Sequence, residues 1–171
     1  VAPLYPQYSG ATTGTAIDAL GAQLGRMRWQ PAIRTLPPYH DDPAHIAALH
    51  ADLARQLAAL SFVPEVLLLS FHGMPERTLH LGDPYHCHCA KTARMLREAL
   101  GLDAKQLVMT FQSRFGREEW IKPYTDETVE SLAKSGVKRM AMIAPGFTAD
   151  CLETLEELDV ENREIFEHNG G

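Results

Sequence analysis

Four short β-rich runs punctuate the chain: 32–36, 66–71, 107–112 and 139–144. After each, apolar residues recur every three or four positions, the spacing of one buried helix face. Behind the first run, Asp42-Pro43 supplies an N-cap and a first-turn proline. Ile46, Leu49, Leu53, Leu57 and Leu60 then fall on one helical stripe. Asp83-Pro84 repeats the start signal ahead of Ala93, Leu96, Ala99 and Leu100, and Gly101 closes that helix. Thr125 opens a third helix carrying Val129, Leu132 and Ala133, stopped by Gly136. Leu152, Leu155, Leu158, Ile165 and Phe166 mark the last one, which ends near Asn169-Gly170. One earlier helix is predicted over Thr12 to Gly25, ahead of the first run.

Strands alternating with helices define the α/β class, with a parallel four-stranded sheet covered by helices on both faces. In such sheets ligands sit beyond the carboxyl ends of the strands. That names four loops: Pro37-Pro38-Tyr39-His40, His72-Gly73-Met74-Pro75, Ser113-Arg114-Phe115-Gly116 and Pro145-Gly146-Phe147-Thr148.

Composition narrows the function only slightly. A formal net charge of −6 argues against nucleic acid as the main partner, because phosphate binding needs clustered Lys and Arg. The longest apolar run, Val66-Leu67-Leu68-Leu69, has the length of a buried strand, far below the ~20 residues of a membrane span. Three cysteines make no disulfide framework and fit a reducing, cytoplasmic setting. The chain starts at Val1-Ala2-Pro3-Leu4 and stops at Gly170-Gly171, so it is read as part of something longer.

Two features at the strand ends carry chemistry. His72 follows the strand 66–71 directly, and Gly73-Met74-Pro75 ends that strand sharply, which puts an imidazole at the rim. Its ordinary pKa near 6.5 lets it take a proton at neutral pH, and its neutral form binds borderline metals. The plainer alternative is a strand cap bonded to a neighbouring carbonyl. Asp150, Glu153, Glu157 and Glu161 recur at three and four residues, so on an α-helix they share a face. Like charges at that spacing cost roughly 0.2–0.5 kcal/mol each. The stripe is either a solvated face or a carboxylate ladder for protons or a hard cation. His86-Cys87-His88-Cys89 is rich in ligand types but lacks a second pair, and reads as an exposed, oxidisable pair of thiols.

Taken in order, several segments resemble the ferrochelatase family. They are Tyr5-Pro6-Gln7-Tyr8-Ser9 with Thr12-Thr13-Gly14, Ser70-Phe71-His72-Gly73-Met74-Pro75 and Gly82-Asp83-Pro84-Tyr85. Next come Gln112-Ser113-Arg114-Phe115-Gly116 with Trp120, and Pro145-Gly146-Phe147 with the run from Asp150 to Leu158. The resemblance implies a chelatase-like, Rossmann-like three-layer sandwich in two similar domains, with porphyrin in the cleft between them. Residues 1–25 would be the tail of the N-terminal chelatase domain and its linking helix. Residues 26–171 would be the second domain, truncated at its C-terminal end.

The resemblance also implies roles. His72 and Glu153 match the family's iron-binding and catalytic pair. Asp150 and Glu157 match acidic positions on a helix distorted into a π-bulge, for proton relay or iron passage. Ser113, Arg114, Trp120 and Tyr8 match positions at the porphyrin cleft. The reaction is insertion of ferrous iron into protoporphyrin IX to form protoheme, a lyase step of heme biosynthesis. The alternatives are a coproporphyrin ferrochelatase, a cobalt chelatase, or a non-catalytic heme- or metal-binding module. Many relatives hold a [2Fe–2S] cluster with one cysteine following Tyr-Ser. Gly10 stands there in this chain, so no cluster is expected. Cys151 replaces a second histidine found in some relatives. The expected partners are porphyrin and heme, with peripheral membrane contact and no nucleic acid. A chain lacking the first domain is expected to be inactive alone.

Overall fold

In a computed structural model that describes residues 1–171, the strand β1 (Val66–His72) is central. Five consecutive residues of it, Leu67 to Phe71, are between 0% and 2% exposed, so both of its faces are covered. The neighbours β2 (Leu107–Gln112) and β3 (Met140–Ile143) pair with it in parallel, in the order β2-β1-β3. Two of these strands match the runs in the sequence almost residue for residue, and the third is a residue or two shorter.

Alternation along the strands sorts side chains between the two layers. Leu67, Leu69 and Phe71 of β1, with Leu107 and Phe111 of β2, join a core completed by Leu53, Tyr85, Cys89, Ala93, Leu96 and Ile121. That layer is built from α2 (Pro43–Ala59) and α4 (Tyr85–Leu100). The Asp42 carboxylate accepts the Ala44 and His45 amides at the start of α2. Gly101, at φ 68, closes α4 in the left-handed conformation that suits a residue without Cβ. The opposite face of the sheet presents Ser70, His72, Thr110 and Gln112. It is covered by α5 (Thr125–Lys134), by a π-helix (Glu153–Asn162) and by α6 (Arg163–His168).

The sheet has three strands, and the expected fourth run, 32–36, is not one of them. That segment pairs elsewhere. The Val1 nitrogen donates to the Arg34 carbonyl at 2.8 Å, and the Leu36 amide donates to the Val1 carbonyl at 2.9 Å. Two slanted bonds around one residue are the pattern of a parallel ladder. The ribbon lies off the main sheet, with Trp29 83%, Leu4 61% and Leu36 44% exposed. The physical reason is that β-propensity specifies an extended chain without specifying its neighbour.

The helix expected over Thr12 to Gly25 begins as a π-helix (Gly10–Gly14) and continues as α1 (Thr15–Leu24), which buries no side chain. A short α3 (Glu76–His80) follows the His72 loop, where no helix was expected. No helix is long and apolar enough to cross a membrane.

Candidate active site

The period-two rule that hides Leu69 and Phe71 on one face sends Ser70 and His72 to the other. His72 ends β1 half-buried, and its Nδ1 lies 2.7 Å from the Gly73 carbonyl. A carbonyl can only accept, so Nδ1 carries the proton and Nε2 keeps its lone pair. Gly73 is required at the next position. A Cβ there would stand 2.7 Å from the Gln112 carbonyl oxygen and 3.0 Å from Cε3 of Trp120.

Glu153 opens the longer π-helix, where the dipole favours a carboxylate. The Cys151 thiol donates to it, as does its own backbone N–H, and these bonds hold its carboxyl below the usual range. Burial opposes them, and the neighbouring His72 imidazole, the smallest of these effects, acts in the same direction as the bonds. Glu153 is therefore ionised at neutral pH and close enough to feel the imidazole. The Phe147 ring, from the loop after β3, stands 6.4 Å from the His72 ring centroid and walls the same corner.

Glu157 lies one turn on and also points inward. Its carboxylate accepts from the Ser113 amide at 2.5 Å, the Ser113 hydroxyl at 2.5 Å and the Gln112 side chain at 3.2 Å. Ser113 holds φ 64, an uncommon left-handed conformation for a residue with a side chain.

The remaining candidates separate. The acidic stripe is not continuous: Asp150 lies ahead of the helix, and Glu161 is exposed near its far end. Asp150 is exposed, accepts from the Thr154 hydroxyl at 3.2 Å, and lines a groove of about 660 Å³ beside β3 with Leu53, Met142, Asn162 and Phe166. Neither His72 nor Glu153 lines that groove. Glu161 is exposed and faces a second, acidic groove with Asp126, Glu127 and Glu164. Arg114 turns to α5, with bonds of 2.9 Å to Glu127 and 2.7 Å to Asp126, and stacks 4.1 Å over Tyr124. Those carboxylates, Glu127 first, raise its pKa. Trp120 is 5% exposed and gives its indole N–H to the Phe115 carbonyl. It forms the wall behind Gly73.

The Tyr8 amide donates to Nδ1 of His88 at 3.1 Å. The His86 to Cys89 run fans out around the first turn of α4. His88 stacks on His40 with centroids 3.6 Å apart, and His86 stacks on Phe111 at 5.6 Å. The expectation of two exposed thiols is corrected: Cys87 is exposed, but Cys89 is 0% exposed and burial pushes its thiol well up.

Two polar groups escaped the sequence reading. Asp83 accepts from the Ser9 hydroxyl, the Gly10 amide and the Tyr85 amide, tying the first π-helix to α4. Ser70, Thr110 and Gln112 form a buried polar row beneath His72. The available signal was a polar residue at every second place in otherwise apolar strands.

Fold and site thus define an α/β protein with a histidine and a helix-borne carboxylate at the carboxyl edge of a parallel sheet. A family model described as ferrochelatase matches residues 1–171. Ferrochelatase of Agrobacterium fabrum is 60% identical over 169 residues, covering 99% of this chain and 49% of that protein. Ferrochelatases of Nitrobacter hamburgensis and Rhizobium meliloti are 58% and 59% identical over 171 residues, covering 100% of this chain and 50% of each. The chain belongs to the ferrochelatase family. It spans about half the length of the curated relatives it matches.

Proposed function

We propose that the full-length protein is a ferrochelatase, a lyase that inserts ferrous iron into protoporphyrin IX to form protoheme. A free-base porphyrin releases two pyrrole protons as one divalent ion enters. Binding that bends the macrocycle exposes a nitrogen lone pair and an N–H, with strain supplied by the rest of the contact. His72 Nε2 takes one proton and hands it through the carboxylates to water, then takes the second in the same way, while the ionised Glu153 stabilises the imidazolium or meets the incoming ion with an oxygen. Glu157 and Asp150 serve proton or iron passage. Ser113, Arg114, Trp120 and Tyr8 shape or support the porphyrin cleft.

The observation that carries this reading is that the Gly73 carbonyl lies 2.7 Å from His72 Nδ1, which leaves Nε2 for other partners, in a corner where Glu153 feels the ring. Ferrous iron is substrate here. No [2Fe–2S] cluster belongs to the proposal, since residue 10 has no side chain and its amide is bound by Asp83. Residues 1–25 are assigned to the first chelatase domain and its linking helix, and 26–171 to the second. The Val1 ladder favours carrying 32–36 into the first as well. Three free thiols support a reducing, cytoplasmic compartment, with peripheral contact to the bilayer from which greasy porphyrins are drawn. The test is zinc insertion into a soluble porphyrin by the full-length protein and by His72→Ala. Loss of turnover in a folded variant is expected, and near-parent turnover refutes the reading.

A further inference from the structure

One buried side chain joins the strand that ends in His72 to the helix that begins at Glu153. Gln112 is 2% exposed and is the register partner of His72 across β1 and β2. Its carbonyl oxygen Oε1 accepts from the Ser70 hydroxyl at 2.7 Å, two residues before His72 on the same strand. Its amide Nε2 donates at 2.7 Å to the backbone carbonyl of Glu153, and at 3.2 Å to the Glu157 carboxylate. Its main-chain carbonyl accepts the Gly73 amide at 2.7 Å, one residue past His72.

The orientation of the carboxamide is fixed by its partners. The Glu153 carbonyl and the Glu157 carboxylate can only accept, so the NH₂ must face the π-helix. The oxygen then faces Ser70, whose hydroxyl also lies 2.9 Å from Thr125 on α5. No rotation of the amide satisfies both sides the other way round. A buried group with every bond committed has one position, and that position joins the strand of the base to the helix of the carboxylate.

We propose that Gln112 is a positioning residue that sets where the Glu153 carboxylate stands relative to His72. The inference rests on the reading of His72 and Glu153 as the working pair. Without the amide, the Glu153 carbonyl loses the bond that ties the first turn of the π-helix to β2, and the helix is free to shift against the strand. Partners that act through a ligand typically change metal affinity or activity by about 10–100-fold.

The test uses zinc insertion into a soluble porphyrin by the full-length protein, with Gln112→Met and Gln112→Glu, each alone and combined with Glu153→Gln. Met keeps the volume and removes all three side-chain bonds, whereas Glu keeps the Ser70 bond and removes the donor. The expected result is a zinc KM raised about tenfold or more, with the porphyrin KM within about twofold of parent. A merely structural role lowers the amount of folded enzyme and moves neither KM. In the Glu153→Gln background the Gln112 change should add less than about twofold, because both act through one carboxylate. The proposal is overturned by a folded variant that keeps the parent zinc KM, or by effects that multiply in the double variant. A crystal structure in which the Gln112 amide does not reach the Glu153 carbonyl overturns it with no variant at all. Failure of the underlying reading looks different: the parent does not metallate porphyrin, or His72→Ala still does.

Discussion

Replacing Gly73 with alanine adds one methyl group at the most crowded point of the site. The new Cβ would lie 2.7 Å from the Gln112 carbonyl oxygen, inside the 3.0 Å that real Cβ contacts respect, and 3.0 Å from the Trp120 ring. The nearer atom is backbone in the middle layer of the fold, so no rotamer change relieves the clash. Overpacking of this kind costs about 1–3 kcal/mol. The Gly73 amide bond to that same carbonyl weakens as the strands part, adding about 1 kcal/mol. The narrower unfolded ensemble of alanine offsets part of this, leaving a net loss of about 2 kcal/mol. For a protein of this size that is a fall of about 4–8 °C in Tm. The Gly73 carbonyl also holds the His72 ring, so zinc insertion by the full-length protein should fall along with stability. The control is Gly21→Ala in α1, where nothing lies within 4 Å of the added carbon and Tm should not fall. Gly73→Ala with parent Tm and parent turnover would refute the close-packing argument for this loop.

Two further outcomes follow from the same geometry. Burial lowers the pKa of both His40 and His88, and the stacked ring of His88 lowers that of His40 further. Asp41 and Asp83 oppose the shift, while Lys91 and, for His40, His45 reinforce it. The folded protein therefore prefers both rings neutral, and the unfolded chain binds more protons as pH falls through the ordinary histidine range near 6.5. Stability from this pair is full above that range and is lost on acidification. Thermal melts from pH 7.5 to 5 should show a slope that shrinks in His88→Gln, and an unchanged slope would exclude the pair as its source. Asp83→Ala removes the acceptor for Ser9, Gly10 and Tyr85 and should cost about 1–2 kcal/mol by urea unfolding, whereas Asp83→Asn recovers part of it. A loss below about 0.3 kcal/mol would mean that the tie between the first π-helix and α4 is ornamental.

Much of the architecture is legible in the chain because its strands are long, apolar and bounded by turn residues. The run at 66–71 is buried on both faces, the pattern of a central parallel strand, and the run at 107–112 pairs beside it. The run at 32–36 has the same local preference and a different partner, since pairing is a tertiary choice. His72 was found because Gly73-Met74-Pro75 marks the strand end. The stripe from Asp150 to Glu161 misled in part, because the helix starts only at Leu152 and Asp150 precedes it. Glu153 and Glu157 are half-buried there, whereas Asp150, ahead of the helix, and Glu161 are exposed. Gln112 was overlooked because a single glutamine at a strand end looks like surface. Its weight comes from what two other elements bring to it.

The central claim is that His72 Nε2 and the Glu153 carboxylate address the same metal ion. Anomalous diffraction from a crystal of the full-length protein soaked in zinc tests it most directly. The account predicts a peak about 2.0–2.2 Å from Nε2 and from a Glu153 oxygen, the ordinary zinc distances for those donors. Zinc confined to the acidic grooves of Asp150 or Glu161, with His72 bonded through Nε2 to protein, would contradict it.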